Sequence, residues 1–250
     1  MKKTKTMNDK KPAPPRPTDP WDGILPVDKP AGLTSHDVVH RIRRKFGFRK
    51  VGHGGTLDPS ATGLLVILVG RGTKLSSRFL SSDKAYRGTM KLGVSTATHD
   101  AEGEIVGEKD CSRVTSALMT KAMEEFQGDV FQTPPMISAI KVDGVPLYKR
   151  ARRGETVERR PRLIHVYEFT LTDFHLPRAG FFLRCTKGTY VRTLCADVGE
   201  RLGCGAFLER LERTACGDLK LDDAIGLDQI LAMPLDEVIA NITPAAFFNP

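Results

Sequence analysis

Gly52-His53-Gly54-Gly55-Thr56-Leu57-Asp58-Pro59-Ser60-Ala61-Thr62-Gly63 runs directly into the apolar stretch Leu64–Val69. Its four glycines let backbone approach a ligand closely or adopt positive φ. Asp58 is the only carboxylate here, and Pro59 pushes it toward extended dihedrals. Proline suits the first position of a helical turn. The residues therefore fit two readings equally: a catalytic acid displayed on a glycine loop, or a turn whose Asp caps a helix. Leu64–Val69 has the length and continuity of a buried strand.

Outward from this loop, charge is unevenly placed. The chain has 250 residues, 40% hydrophobic, with net charge +8. Residues 1–20 carry net +4, residues 36–53 net +5 and residues 141–162 net +5, so the remainder is net negative. Such clustering favours a polyanionic partner, although each cluster alone also fits a solvated face. No apolar run approaches the about 18 residues of a membrane span. Five cysteines, at 111, 185, 195, 204 and 216, lack zinc-ligand spacing, which reads as reduced thiols in a cytoplasmic protein. His36 and His40 share a helix face without a third ligand, so no metal is expected.

In chain order, residues 1–20 hold five prolines and six basic residues and read as a disordered basic tail. Gly23–Val27 reads as a strand, followed by the turn Asp28–Gly32. Ser35 is the expected N-cap of a helix bearing Val38, Val39, Ile42 and Phe46 inward, Arg41, Arg43, Arg44 and Lys45 around them, and Gly47 at its end. Gly70-Arg71-Gly72-Thr73-Lys74 lacks P-loop spacing and reads as the start of a helix over 73–82, with Leu75, Phe79 and Leu80 inward. Lys84–Gly93 alternates like a strand, with Glu104–Val106 as its expected partner. A helix is expected over 115–126, with Leu118, Ala122 and Phe126 inward. Residues 132–162, rich in Lys and Arg, read as a long excursion able to grip a polyanion. Leu163–Leu176 and Phe181–Thr186 read as paired strands. A helix is expected from the turn at 187–192 to about Leu202, then a strand or short helix over 207–214 and short helical patterns to the end. Mixed elements without strict βαβ alternation argue for an α+β fold with a largely antiparallel sheet flanked by helices.

Several motifs resemble those of the TruB family of RNA pseudouridine synthases. Val27–Gly32 resembles its DKPxG turn, which holds Lys29. Gly52–Gly63 resembles its nucleophile loop, making Asp58 the catalytic aspartate and His53 the loop histidine that contacts RNA. Lys84-Ala85-Tyr86-Arg87 resembles its K-x-Y-R strand, with Tyr86 as the active-site tyrosine. Pro134–Lys141 and Leu147–Gly154 resemble its RNA-gripping thumb. Lys187–Arg192 resembles KGTY[IV]R, giving Tyr190 and Arg192, and Leu202–Ala206 with Leu211 resembles the last core segment. The resemblance spans residues 23–215. It implies a pseudouridine synthase catalytic domain over 21–216, with a thumb at about 132–162, that isomerises the uridine at position 55 in the TΨC arm of tRNA without metal or cofactor. It implies Asp58, Tyr86, Tyr190 and Arg192 as catalytic, with Arg192 a bidentate partner of Asp58. His53, Lys29, Lys74, Lys141, Arg152 and Leu211 would contact substrate or RNA. The expected partner is tRNA, bound by a monomer away from any membrane.

Two departures qualify the likeness. Only about 35 residues follow Cys216, a short helical segment too small for the PUA domain of many relatives and of guide-RNA-dependent ones. Ala97 stands where relatives often carry an acid. Two further readings stay open: an RNA-binding protein without catalysis, and a metal-dependent hydrolase built on His53, Asp58, His99 and Asp100.

Overall fold

In the computed structural model the described residues are 21–248 other than 139, 143 and 152, with the side chains of 141 and 148 also outside the description. The basic tail and Arg152 therefore lie outside the described residues.

The chain begins with β1 (Gly23–Lys29), α1 (Ser35–Phe46), β2 (Val51–His53), β3 (Thr62–Val69) and, after a 3₁₀ turn, α2 (Ser76–Ser81). β4 (Lys84–Leu92), β5 (Val94–Thr96), β6 (Ile105–Glu108), α3 (Ser116–Glu124) and β7 (Gly128–Gln132) follow. The excursion holds β8 (Lys141–Val142), β9 (Val145–Pro146) and α4 (Leu147–Ala151). Then come β10 (Arg162–His175), β11 (Arg178–Cys185), α5 (Val191–Arg201) and β12 (Ala206–Cys216). The remainder carries β13 (Leu219–Lys220), β14 (Ile225–Gly226), α6 (Leu227–Ala232), α7 (Leu235–Ala240) and β15 (Thr243–Pro244).

Eleven strands form one sheet, in the order β14-β1-β3-β12-β4-β11-β10-β7, with β2 on β3, β13 on β12 and β15 on β1. Pairing is antiparallel except for β1–β14 and β3–β12. From Leu64 to Val69 β3 is continuously apolar, and both of its faces are covered. Leu65, Ile67 and Val69 pack with α1, α3 and α5 side chains, while Leu64, Val66 and Leu68 pack with Phe79 and Cys216. The parallel contact of β12 with β3 is short, Glu212 opposite Thr62 and Arg213 opposite Gly63. It requires glycine: Gly63 has φ +93°, and a Cβ there would lie 2.5 Å from the Arg213 carbonyl oxygen.

Several expectations need correction. The N-cap of α1 is Thr34, whose side chain and that of Asp37 form a reciprocal capping box. Ser35 is instead buried and turned toward Leu57. Gly47 does end the helix in the left-handed region. The helix expected over 73–82 is a 3₁₀ turn followed by α2, and this change of winding rotates Leu80 off the core face. In α3 the buried positions are Met119, Ala122 and Met123; Leu118 is exposed, and Phe126, beyond the helix, is partly buried against the core. β6 pairs with β5 in a separate two-stranded sheet rather than with β4. Residues 206–216 are wholly strand, and β7 is an edge strand that the pattern did not announce.

Gly63→Ala combines an unfavourable φ with collision against backbone that cannot yield. It lowers the unfolding free energy by about 2 kcal/mol or more, measured by urea denaturation.

Candidate active site

The glycine loop is clamped from two sides. On one, the Lys29 ammonium donates to the carbonyls of Leu33 (2.7 Å), Pro30 (2.9 Å) and Pro59 (3.2 Å). Gly32 N–H also donates to Pro59 O, at 2.9 Å. Ser35 Oγ accepts from Leu57 N–H (2.8 Å) and donates to Leu57 O (3.2 Å). On the other side, the Arg213 guanidinium donates to the carbonyls of Leu64 (2.7 Å), Gly55 (3.1 Å) and Thr56 (3.3 Å). The loop is thereby fixed through its backbone, and the Asp58 side chain keeps 49% of its surface exposed.

That carboxylate opens into a cleft of about 290 Å³, lined also by Tyr86, Tyr190, Arg192, Leu211 and Arg213. Arg192 stands in the first turn of α5, where the helix dipole disfavours a cation. Two carboxylates offset that penalty. Nη1 lies 2.9 Å from Asp100 Oδ2 and 3.5 Å from Asp58 Oδ2, and Nη2 donates to the Ile137 carbonyl. The expected bidentate grip on Asp58 is therefore corrected: one nitrogen is shared between two acids. Asp100 is buried and accepts from Thr98 Oγ1 and Glu102 N–H. His99 precedes it at φ 64°, a left-handed kink. Gln132 exchanges both of its amide hydrogen bonds with the Tyr190 backbone, at 2.8 and 3.1 Å, seating the start of α5.

Burial, partly opposed by neighbouring Arg213, pushes the Tyr86 hydroxyl up to about 12. Tyr190 is raised as well, chiefly by burial. His53 is lowered by burial and then by the Arg213 charge; its Nδ1 accepts from Gly55 N–H at 3.3 Å.

Of the expected site residues, Asp58, Tyr86, Tyr190, Arg192 and Leu211 line one cleft. His53 sits upstream of it, half-buried. Lys29 is corrected from an RNA contact to a fully buried staple. Lys74 is exposed on the 3₁₀ turn and does not line the cleft. The backbone of Lys141 belongs to β8. Among the described residues no three His, Cys, Asp or Glu side chains gather as metal ligands, so the hydrolase reading has no cluster to stand on. No helix there is long and apolar enough to cross a membrane. Sequence reasoning missed Arg213, Asp100 as the partner of Arg192, and Gln132. For Arg213 the usable signal was a lone cation two positions from Leu211 on one strand face.

Residues 43–191 match the model for the TruB family pseudouridylate synthase (N terminal domain), and residues 192–242 match the tRNA pseudouridylate synthase B C-terminal domain. A protein of Opitutus terrae called tRNA pseudouridine synthase B is 54% identical over 92% of this chain and 95% of its own. One of Burkholderia pseudomallei with the same name is 47% identical over 89% of this chain and 74% of its own. Among solved structures, a Cbf5-Nop10-Gar1 complex contains a chain 28% identical with TM-score 0.71, covering 90% of this chain and 61% of that one. This chain thus spans about three-fifths of that structural relative.

Lys29 supplies a test of the clamp. Burial lowers it from 10.5 to about 8, against the pull of Asp58. Between those values the unfolded chain keeps a proton that the folded one has lost, so stability rises with pH across that window. Relative to Lys29→Met, the parent gains on the order of 2–3 kcal/mol from pH 7 to pH 11, read from urea midpoints.

Proposed function

Because the chain belongs to the TruB family of pseudouridylate synthases, we propose that it converts the uridine at position 55 in the TΨC arm of tRNA to pseudouridine, with Asp58 as the catalytic carboxylate. The observation that carries this reading is Arg192 shared between half-exposed Asp58 and buried Asp100. The isomerisation breaks the N1–C1′ bond, turns the base and joins C5 to C1′. Redox state is unchanged and no water is consumed, so a carboxylate at the sugar suffices and no cofactor is required. Asp58 either adds to C1′ or takes the C2′ proton. Both routes need an ionised, oriented carboxylate with one accessible face. Asp100 holds Arg192 in place, and Arg192 orients Asp58.

Tyr86 and Tyr190 supply aromatic surfaces for a uridine drawn out of its stack. Tyr86 enters the reaction as a neutral phenol. α1 is tied to the loop by Ser35 and bears exposed Arg41, Arg43, Arg44 and Lys45, with exposed Arg49 and Lys50 following it, suited to phosphate contacts that weaken with salt. The five cysteines are free thiols, four of them buried, which suits a cytoplasmic enzyme. We infer that it acts as a monomer on tRNA.

Tritium at C5 of uridine is released only when C5 becomes the glycosidic carbon. The parent releases it from tRNA transcripts; Asp58→Asn does not, and neither does the parent acting on transcripts with cytidine at position 55. Release that persists from those transcripts refutes the assigned position, and release by Asp58→Asn refutes the assigned acid. Asp100→Asn slows single-turnover conversion about 100-fold through misplaced Arg192, with RNA affinity within about twofold of the parent.

A further inference from the structure

Arg213 is the largest of the fully buried side chains. Among the described residues no carboxylate lies within ion-pair distance of it. Its guanidinium donates to three neutral carbonyls, those of Gly55, Thr56 and Leu64. A buried cation without a counter-ion is costly, and a structural grip on three carbonyls does not require a permanent charge.

The charge pattern around the cleft is lopsided. Arg192 is matched by Asp58 and Asp100. On the Tyr86 side the charges are Lys84 and Arg213, and Lys84 spends its ammonium on the carbonyls of Phe79, Leu80 and Ser82. The charge of Arg213 acts on Lys29, His53, Lys84 and Tyr86 alike. Arg213 and Tyr86 are cross-strand partners on β12 and β4, and both line the cleft. A guanidinium can only donate, so a phenol oxygen that meets it accepts, and the phenol's own O–H stays free to donate into the cleft.

We propose that Arg213, acting through the Tyr86 hydroxyl, stabilises the negative charge that the uracil ring acquires when its bond to C1′ breaks. The inference rests on the pseudouridine synthase reading. As the N1–C1′ bond breaks, its electron pair leaves with N1 and spreads to the ring oxygens. The sugar is satisfied by Asp58, which adds to C1′ or takes the C2′ proton. C5 then bonds to C1′ as the Asp58–C1′ bond breaks, or as Asp58 returns its proton to C2′, and the C5 proton passes to solvent, so no oxidant or reductant is involved. Between those steps the base is an anion, and donors preorganised beside it are worth most there. Arg213 is a positioning residue: it fixes the phenol and biases it toward donation.

A role for charge can be separated from a role in shape by changing the leaving group. Fluorine at C5 makes the departing base a weaker base, so it depends less on external stabilisation. Single-turnover loss of the N1-linked nucleoside is followed in TΨC-arm RNAs carrying uridine or 5-fluorouridine at the target. Arg213→Gln slows uridine about 100-fold and fluorouridine about 10-fold. Arg213→Lys, which keeps the charge, holds the fluorouridine-to-uridine ratio near that of the parent. Tyr86→Phe raises the ratio as Arg213→Gln does, and the double variant raises it no further. Equal slowing of both RNAs by Arg213→Gln overturns the proposal and leaves Arg213 a loop clamp. Where Arg213→Gln fails to fold, as read by thermal melting, Tyr86→Phe decides: an unchanged ratio overturns the proposal. A parent enzyme that rearranges neither RNA fails the functional reading instead, a distinct result.

Discussion

Two buried cations hold the carbonyls of one glycine loop, and the rest of the site depends on that grip. Lys29 fastens Pro59 to the turn after β1, and Arg213 fastens Gly55 and Thr56 to β12. Each charge is expensive to bury. The cost is offset because loop backbone, which would otherwise need water, is satisfied inside the protein. Asp58 lies between the two anchors. Its neighbours' backbones are pinned, so its carboxylate is aimed without spending its own acceptor atoms on structure. This is why the acid can be half-exposed while the groups that hold its loop are almost wholly buried.

The sheet makes the grip possible. Asp58 and Tyr86 come from the first half of the chain, Arg192 and Arg213 from the second. They meet because β12 inserts between β3 and β4 in the middle of the sheet. The family boundary after residue 191 therefore divides the sequence but runs through the site. Gly63 is where this insertion is most exacting, since β12 passes closer there than any side chain permits.

Much of this was legible in the chain because the signals were local. A continuous apolar run marked β3 and the 3.6-residue period marked α1, while the residues around Asp58 left a catalytic acid and a helix-capping turn equally open. The misreadings share a cause. Lys29 and Arg213 look like surface residues in a linear pattern, because nothing local says that backbone carbonyls 30 or 158 positions away will surround them. Asp100 reads as a turn acid until α5 brings Arg192 to it across 92 residues. Leu118 and Leu80 failed for a smaller reason: a helix face rotates with one residue of offset, and sequence period alone does not settle the phase.

The division of Arg192 among three partners ties the site to the excursion above it. Its second terminal nitrogen donates to Ile137, at the root of residues 132–162, while Gln132 at the start of that segment seats the Tyr190 backbone. A shift of that root changes the position of Arg192, and with it the balance between Asp58 and Asp100. Electrostatic interactions in so buried a setting change steeply with fractions of an ångström. The excursion at residues 132–162 and the Arg192 guanidinium thus share one mechanical connection.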